Sequence, residues 1–135
     1  MIVIDSSALI AILFKEPELE TFENIITSGE RCVMSSVNVH ESATVVRMRL
    51  GAAAVDKVWQ YIPDVGIEIM PFDAAQARVA VAAFEIYGKG IHPKARLNIC
   101  DCAAYALAKT MNAPLLFKGD DFTHTDIRNA LSPTK

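Results

Sequence analysis

Met1-Ile2-Val3-Ile4-Asp5-Ser6-Ser7-Ala8-Leu9 opens the chain, and the reading of this stretch decides the fold. Four apolar residues in a row, with no polar alternation, describe a strand covered on both faces, as in a parallel sheet between helices. Asp5 ends the run, and residues 6–14 follow as a short helix with Leu9, Ile10, Leu13 and Phe14 apolar. Working outward, Pro17 stands near the start of a second helix over residues 17–28, with Leu19, Phe22, Ile25 and Ile26 at helical spacing and Gly29 as its stop. Residues 32–35 read as a second strand. A helix over 36–50 stops at Gly51, and another over 52–61 ends near Pro63. Ile67-Glu68-Ile69-Met70, bounded by Gly66 and Pro71, alternates as a strand does. Asp73 caps a helix reaching Tyr87, with Gln76 in the capping-box position. Residues 88–95 form a loop, residues 98–111 a buried helix, and residues 115–117 a last core strand, with one more strand or turn near Ile127. Strands alternate with helices, and neither a repeat nor a linker divides the chain. The expectation is one α/β domain over residues 1–135, a three-layer α/β/α sandwich with a mostly parallel central sheet.

Composition narrows the classes. The 135 residues match one domain, and a chain of this size buries a core without staples. With 52% hydrophobic residues, disorder is excluded. A net charge of −3 argues against gripping nucleic acid with a broad basic face. It leaves a nuclease open, because a bound divalent ion inverts the local field. Three cysteines, Cys32, Cys100 and Cys102, lack framework spacing and read as reduced thiols in a cytoplasmic protein. Cys100 and Cys102 diverge on a helix, so they suit burial better than a zinc pair. The apolar start has no basic segment and is interrupted by Asp5, unlike a signal peptide. No stretch is long and uncharged enough to span a bilayer.

Four acidic positions fall where a strand or turn gives way to a helix: Asp5, Glu41, Asp101 and the pair Asp120-Asp121. In an open parallel sheet the carboxyl ends of strands meet at one crevice, where such acids would become neighbours and repel one another unless protons or a cation intervene. Each also has a structural alternative. Asp5 could cap the next helix. Asn38 with Glu41, and Asn98 with Asp101, both match a capping box. Asp120 and Asp121 could be ordinary turn residues. Against these stands the setting of Asp101 among Ile99, Cys100, Cys102, Ala103, Ala104, Ala106 and Leu107, where an ionised carboxylate needs compensation. Oxygen ligands with no His or Cys suit Mg²⁺, and Mn²⁺ takes similar donors. His40, His92 and His124 have no metal-ligand spacing.

This constellation resembles the PIN-domain nucleases, and in particular the VapC-like toxins of toxin–antitoxin pairs. The similarity is carried by Ile4-Asp5-Ser6-Ser7-Ala8-Leu9, by Val39-His40-Glu41, by Leu97-Asn98-Ile99-Cys100-Asp101-Cys102-Ala103 with Tyr105-Ala106, and by the run from Leu115 to Phe122. The resemblance implies an acidic metal-binding core of Asp5, Glu41 and Asp101. A fourth acid is expected slightly earlier than this chain offers it, where Gly119 stands, so Asp120 or Asp121 would substitute. Ser7 would orient Asp5 or a phosphate. The implied activity is Mg²⁺-dependent endoribonuclease cleavage of transfer or ribosomal RNA, with Mn²⁺ as an alternative ion. Lys89, Lys94, Arg96 and Lys118 are candidates to hold the RNA backbone. The implied partners are a second copy of the chain and an antitoxin whose helical tail lies in an apolar groove. The first two helices are apolar enough to form that groove, and equally apolar enough to be core.

Three other classes compete. A phospho-acceptor receiver module also has an acid after its first strand and a Lys after its last, here Asp5 and Lys118. It would want a second acid where Ser6 stands. A haloacid-dehalogenase-type phosphatase would want an Asp where this chain has Ser7. A partner-binding protein with a dead site would tolerate loss of Asp5 and Asp101.

Overall fold

The opening run forms strand β1, Ile2–Ile4, with all three residues buried. In this computed structural model, which describes residues 1–131, it lies inside a four-stranded sheet. The last four positions of the expected domain lie outside the described residues. Helices α1 (Ser6–Leu13) and α2 (Leu19–Ile26) follow β1, then β2 (Cys32–Ser35) and α3 (Ser36–Leu50). A 3₁₀ turn at Ala52–Ala54 leads into α4 (Val55–Asp64), then β3 (Ile67–Met70), α5 (Ala74–Tyr87), α6 (Ile99–Met111) and β4 (Leu115–Leu116). All strand pairs are parallel, in the order β3-β2-β1-β4.

Side-chain alternation along β1 divides the core into two layers. Ile2 and Ile4 pack with Leu9, Ile12, Phe22 and Met34 under α1–α4. Val3 packs the other way, with Val33, Leu107 and Leu115 under α5 and α6. Both faces of β1 are covered, which is why it reads as an unbroken apolar run. The three-layer α/β/α sandwich expected from the sequence is the observed architecture.

Strand order determines where a site forms. The chain steps from β1 outward to β2 and β3, then returns to lay β4 against the other side of β1. The reversal point of such a sheet opens a crevice at the strands' carboxyl ends. Register brings Ile4 beside Leu116, and the Asp5 amide donates to the Leu116 carbonyl at 2.9 Å. Asp5 and the segment from Phe117 onward therefore leave the sheet side by side.

Several boundaries differ from expectation. Helix α2 is shorter at both ends than residues 17–28, and Pro17 precedes it. Helix α4 begins after the 3₁₀ turn and continues through Pro63. Asp73 accepts from the Gln76 amide at 2.9 Å, but Gln76 Nε2 donates to the Pro71 carbonyl, so the capping box has one arm only. Near Ile127 a single bridge, Leu115 with Asn129, covers the free edge of β4.

Candidate active site

Asp5 has extended backbone (φ −81°, ψ 155°), and its Oδ2 accepts from the Ser7 amide at 3.0 Å, which makes it the cap of α1. Ser7 Oγ donates to the same oxygen at 2.5 Å, and the Lys118 amide donates to Ser7 Oγ at 2.9 Å. One hydroxyl thus ties the chain beyond β4 to the carboxylate beyond β1. Asp5 Oδ1 is buried with no hydrogen-bond partner, on a residue only 2% exposed. Such orphaned acceptors are rare in native structures. Burial pushes the Asp5 carboxyl up to about 6, with the charge of Glu41 adding to it against the pull of the Ser7 hydrogen bonds.

Glu41 comes from α3. The cap of that helix is Ser35, whose side chain accepts from the Val37 amide. Asn38 therefore lies inside the helix, and the capping-box alternative for Asn38 and Glu41 does not hold. Asn38 is instead fully buried, and its Nδ2 donates to Ser6 Oγ and to the Cys100 carbonyl, both at 3.0 Å. Ser6 Oγ in turn donates to Glu41 Oε1. This relay joins the starts of α1, α3 and α6 and orients Glu41.

Asp101 lies in the first turn of α6. There the capping box is complete: Asn98 Oδ1 accepts from the Asp101 amide at 2.8 Å, and Asp101 Oδ2 accepts from the Asn98 amide at 2.9 Å. Its Oδ1 takes no hydrogen bond among the described residues. Burial first, then the charges of Asp5, Glu41 and Asp121, raise this carboxyl to about 7 against the pull of the Asn98 hydrogen bond. The Cys100 thiol reports the same convergence. Burial first, then Glu41, Asp101 and Asp5, raise it to about 11, so it stays an unreactive thiol.

Asp5, Glu41 and Asp101 thus come from three elements into mutual electrostatic reach. Among the described residues, no group of three or more His, Cys, Asp or Glu stands close enough together to chelate an ion as it is. The acids are neighbours, not a closed cage. Mg²⁺ does not require one, since it keeps several waters and takes only one or two carboxylates from the protein. The oxygen-only donors and the orphaned Asp5 Oδ1 fit such an ion.

The remaining candidates divide. Gly119 has φ +103°, a turn that resists a side chain. Asp120 and Asp121 are both exposed; Asp121 is among the charges that raise the Asp101 carboxyl. Lys118 Nζ is paired with Glu16 at 2.8 Å and Glu18 at 3.2 Å. Lys89, Lys94 and Arg96 are exposed on the loop before α6. Leu9, Ile12, Phe22 and Ile26 of the first two helices are buried core residues. Sequence reasoning did not single out Ser6 or Asn38. Their signal was the adjacency of Ser6 to Asp5 and the spacing of Asn38 and Glu41 on one helix face.

A PIN-domain family model matches residues 2–128. Over 131 residues the chain is 40% identical to Ribonuclease VapC30 of Mycobacterium tuberculosis, covering 97% of this chain and 99% of that one. The chain therefore belongs to the PIN-domain family, in its VapC-like group. In fold it is similar to VapC20 of Mycobacterium tuberculosis, a sarcin–ricin loop cleaving toxin, with a TM-score of 0.77 at 15% identity over 94% of this chain and 96% of that one. VapBC2 from Rickettsia felis, solved bound to a DNA fragment from its promoter, gives 0.73 at 16% identity over 96% of each chain.

Proposed function

We propose that this chain, a VapC-type ribonuclease, hydrolyses RNA phosphodiester bonds with Mg²⁺, or Mn²⁺ in its stead, and that it is the toxin of a toxin–antitoxin pair. The observation that carries the metal reading is the division of labour within each acid. Asp5 and Asp101 each commit Oδ2 to a helix start and leave Oδ1 without a protein donor. Asp5 and Asp101 would hold the ion, with Glu41 alongside. When bound, the ion supplies Lewis acidity, making a water acidic enough to attack near neutral pH and offsetting charge on the phosphate and the leaving 3′-oxygen. The chain's own contribution is orientation. Ser7 holds Asp5, Asn38 and Ser6 hold Glu41, and Asn98 holds Asp101. Asp121 is favoured over Asp120 as the fourth acid, because it acts on Asp101. Lys94, Arg96 and Lys118 remain candidates for the substrate backbone; Lys118 would have to leave Glu16 and Glu18 to serve.

The partners follow the same reading: transfer or ribosomal RNA as substrate, an antitoxin as inhibitor, and the cytoplasm as workplace. Among the described residues no helix is long and apolar enough to cross a membrane. A homodimer is supported by α5, which is apolar on two sides. Ala80 and Ala83 face the core, while Val81 (62% exposed) and Phe84 border a groove of about 860 Å³ with Ile99. Arg78 and Glu85, without ion pairs among the described residues, lie near opposite ends of that outer face. In two copies related by a two-fold axis they would meet crosswise.

The test is RNA cleavage in Mg²⁺, in EDTA and by Asp5→Asn. Cleavage should vanish in the last two cases while the variant stays folded. Undiminished cutting in EDTA would remove the metal. Phosphorylation of Asp5 by a small phosphodonor, with no cleavage, would support the receiver alternative.

A further inference from the structure

The loop between α5 and α6 is built more firmly than a connector requires. Its ends are pinned by the Lys89 amide to the Leu97 carbonyl and the Leu97 amide to the Tyr87 carbonyl, both at 2.9 Å. The Ile91 and His92 amides both donate to the Gly88 carbonyl at 2.9 Å. A Cβ on Gly88 would lie 2.4 Å from the Phe84 carbonyl oxygen, so the entry to the loop admits only glycine. Ala95 and Leu97 are fully buried, and between them Arg96 adopts φ +55°, which turns its side chain outward. His92 Nδ1 accepts from the Lys94 amide at 3.0 Å and the Ala95 amide at 2.9 Å. A ring nitrogen accepting N–H bonds carries its lone pair, so the ring's proton sits on Nε2, which is left as a donor.

Lys89, His92 and Arg96 line an open cleft of about 430 Å³, completed by Gly90, Ile91 and Pro93. Among the described residues no carboxylate lines it, although the chain is acidic overall. Neither Lys89 nor Arg96 forms an ion pair among the described residues. We infer that this cleft is a second phosphate subsite, holding the RNA backbone a few nucleotides from the bond that is cut, an inference that rests on the ribonuclease reading. Donors held on a fixed backbone with no acceptor beside them select an anion, and phosphate contacts of this kind position a strand without reading its sequence. Arg96 is joined to Asp101 by at most about 18 Å of extended chain, so one RNA strand reaches both.

The test compares wild type with Lys89→Gln/Arg96→Asn, where Asn keeps the left-handed backbone and loses the charge. Fluorescence anisotropy of a labelled single-stranded oligoribonucleotide in EDTA gives affinity against salt. Two lost phosphate contacts should make the log–log slope shallower by about 1.4. In Mg²⁺, KM should rise roughly tenfold or more with kcat within about twofold, as for lost uniform binding. His92→Asn, whose side-chain oxygen takes over the role of Nδ1, should raise KM with the salt slope unchanged. If a folded double variant keeps both slope and KM, the subsite does not exist. If it instead loses only antitoxin affinity, the loop is a protein-contacting surface and the inference fails. Absence of cleavage by wild type in Mg²⁺ would count against the ribonuclease reading alone, and the salt slope in EDTA would still decide the cleft.

Discussion

Replacing Asp5 by Asn in metal-free buffer should stabilise the protein at pH 8 and leave it nearly unchanged at pH 4. Burial holds the folded-state carboxyl at about 6 against 3.8 for an ordinary Asp. Between those values the folded protein binds more protons than the unfolded chain, so stability falls as pH rises through the window and levels off above it. A displacement of about two units corresponds to about 3 kcal/mol at most. Asn is as good a helix cap as Asp, and its Oδ1 can accept the Ser7 amide and hydroxyl as Asp5 Oδ2 does. Its Nδ2 would stand where Oδ1 is orphaned, presenting N–H donors toward neighbouring carboxylates. The expected gain at pH 8 is therefore about 1–3 kcal/mol, or roughly 3–10 °C in melting temperature for a domain of this size. Urea denaturation at steps from pH 4 to pH 8 in EDTA measures it. Millimolar Mg²⁺ should then stabilise wild type by linkage and leave Asp5→Asn much less affected. A loss of more than about 1 kcal/mol at pH 8, or a difference independent of pH, would refute the charge penalty that burial sets on Asp5.

Four further outcomes are expected. Asn38→Ala should lower stability by about 2–3 kcal/mol in urea denaturation, because it removes two buried donated bonds, and should reduce kcat by releasing Glu41. Asp121→Asn should lower cleavage more than Asp120→Asn; equal effects would dissociate the fourth acid from its action on Asp101. Lys118→Ala should cost under about 1 kcal/mol in urea denaturation, since exposed ion pairs with Glu16 and Glu18 are worth no more, and an unchanged KM for RNA would remove Lys118 from the substrate backbone. Phe84→Asp should give a monomer by light scattering if copies pair through α5, and an unchanged mass in both proteins would refute that face.

Much of this was legible in the residues because burial leaves a mark on sequence. The unbroken run through Ile4 could only be a strand covered on both sides, and alternation of strands with helices then implied crossovers and a parallel sheet. The gathering of Asp5, Glu41 and Asp101 followed from strand ends meeting at a switch point. The relay was less legible. Asn38 and Glu41 have the spacing of a capping box, but Ser35, the last residue of β2 and paired there with Met70, captured the helix start. Local pattern does not encode which of two polar residues three apart takes the cap; the end of the strand does. The ion pairs of Lys118 were hidden for a similar reason. Its partners Glu16 and Glu18 are a hundred residues away, and only the β1–β4 pairing brings them near.

The alternatives weighed for Asp5 and Asp101 were not exclusive. A helix start offers amides that hold one carboxylate oxygen at fixed geometry, and a metal needs the other oxygen held just as firmly. Capping with Oδ2 while Oδ1 stays free would meet both needs with one side chain. Glu41 reaches the same end by a longer route through Ser6 and Asn38, because its helix start is occupied by Ser35. That difference has a consequence: losing the cap of Asp5 or Asp101 disturbs a helix end and the site together, whereas Ser6→Ala should loosen Glu41 with α3 intact. Rescue then separates the two roles. Ser6→Thr, which restores a hydroxyl, should recover kcat toward wild type without changing the unfolding midpoint, and failure of that recovery with the fold preserved would deny Ser6 its part in holding Glu41.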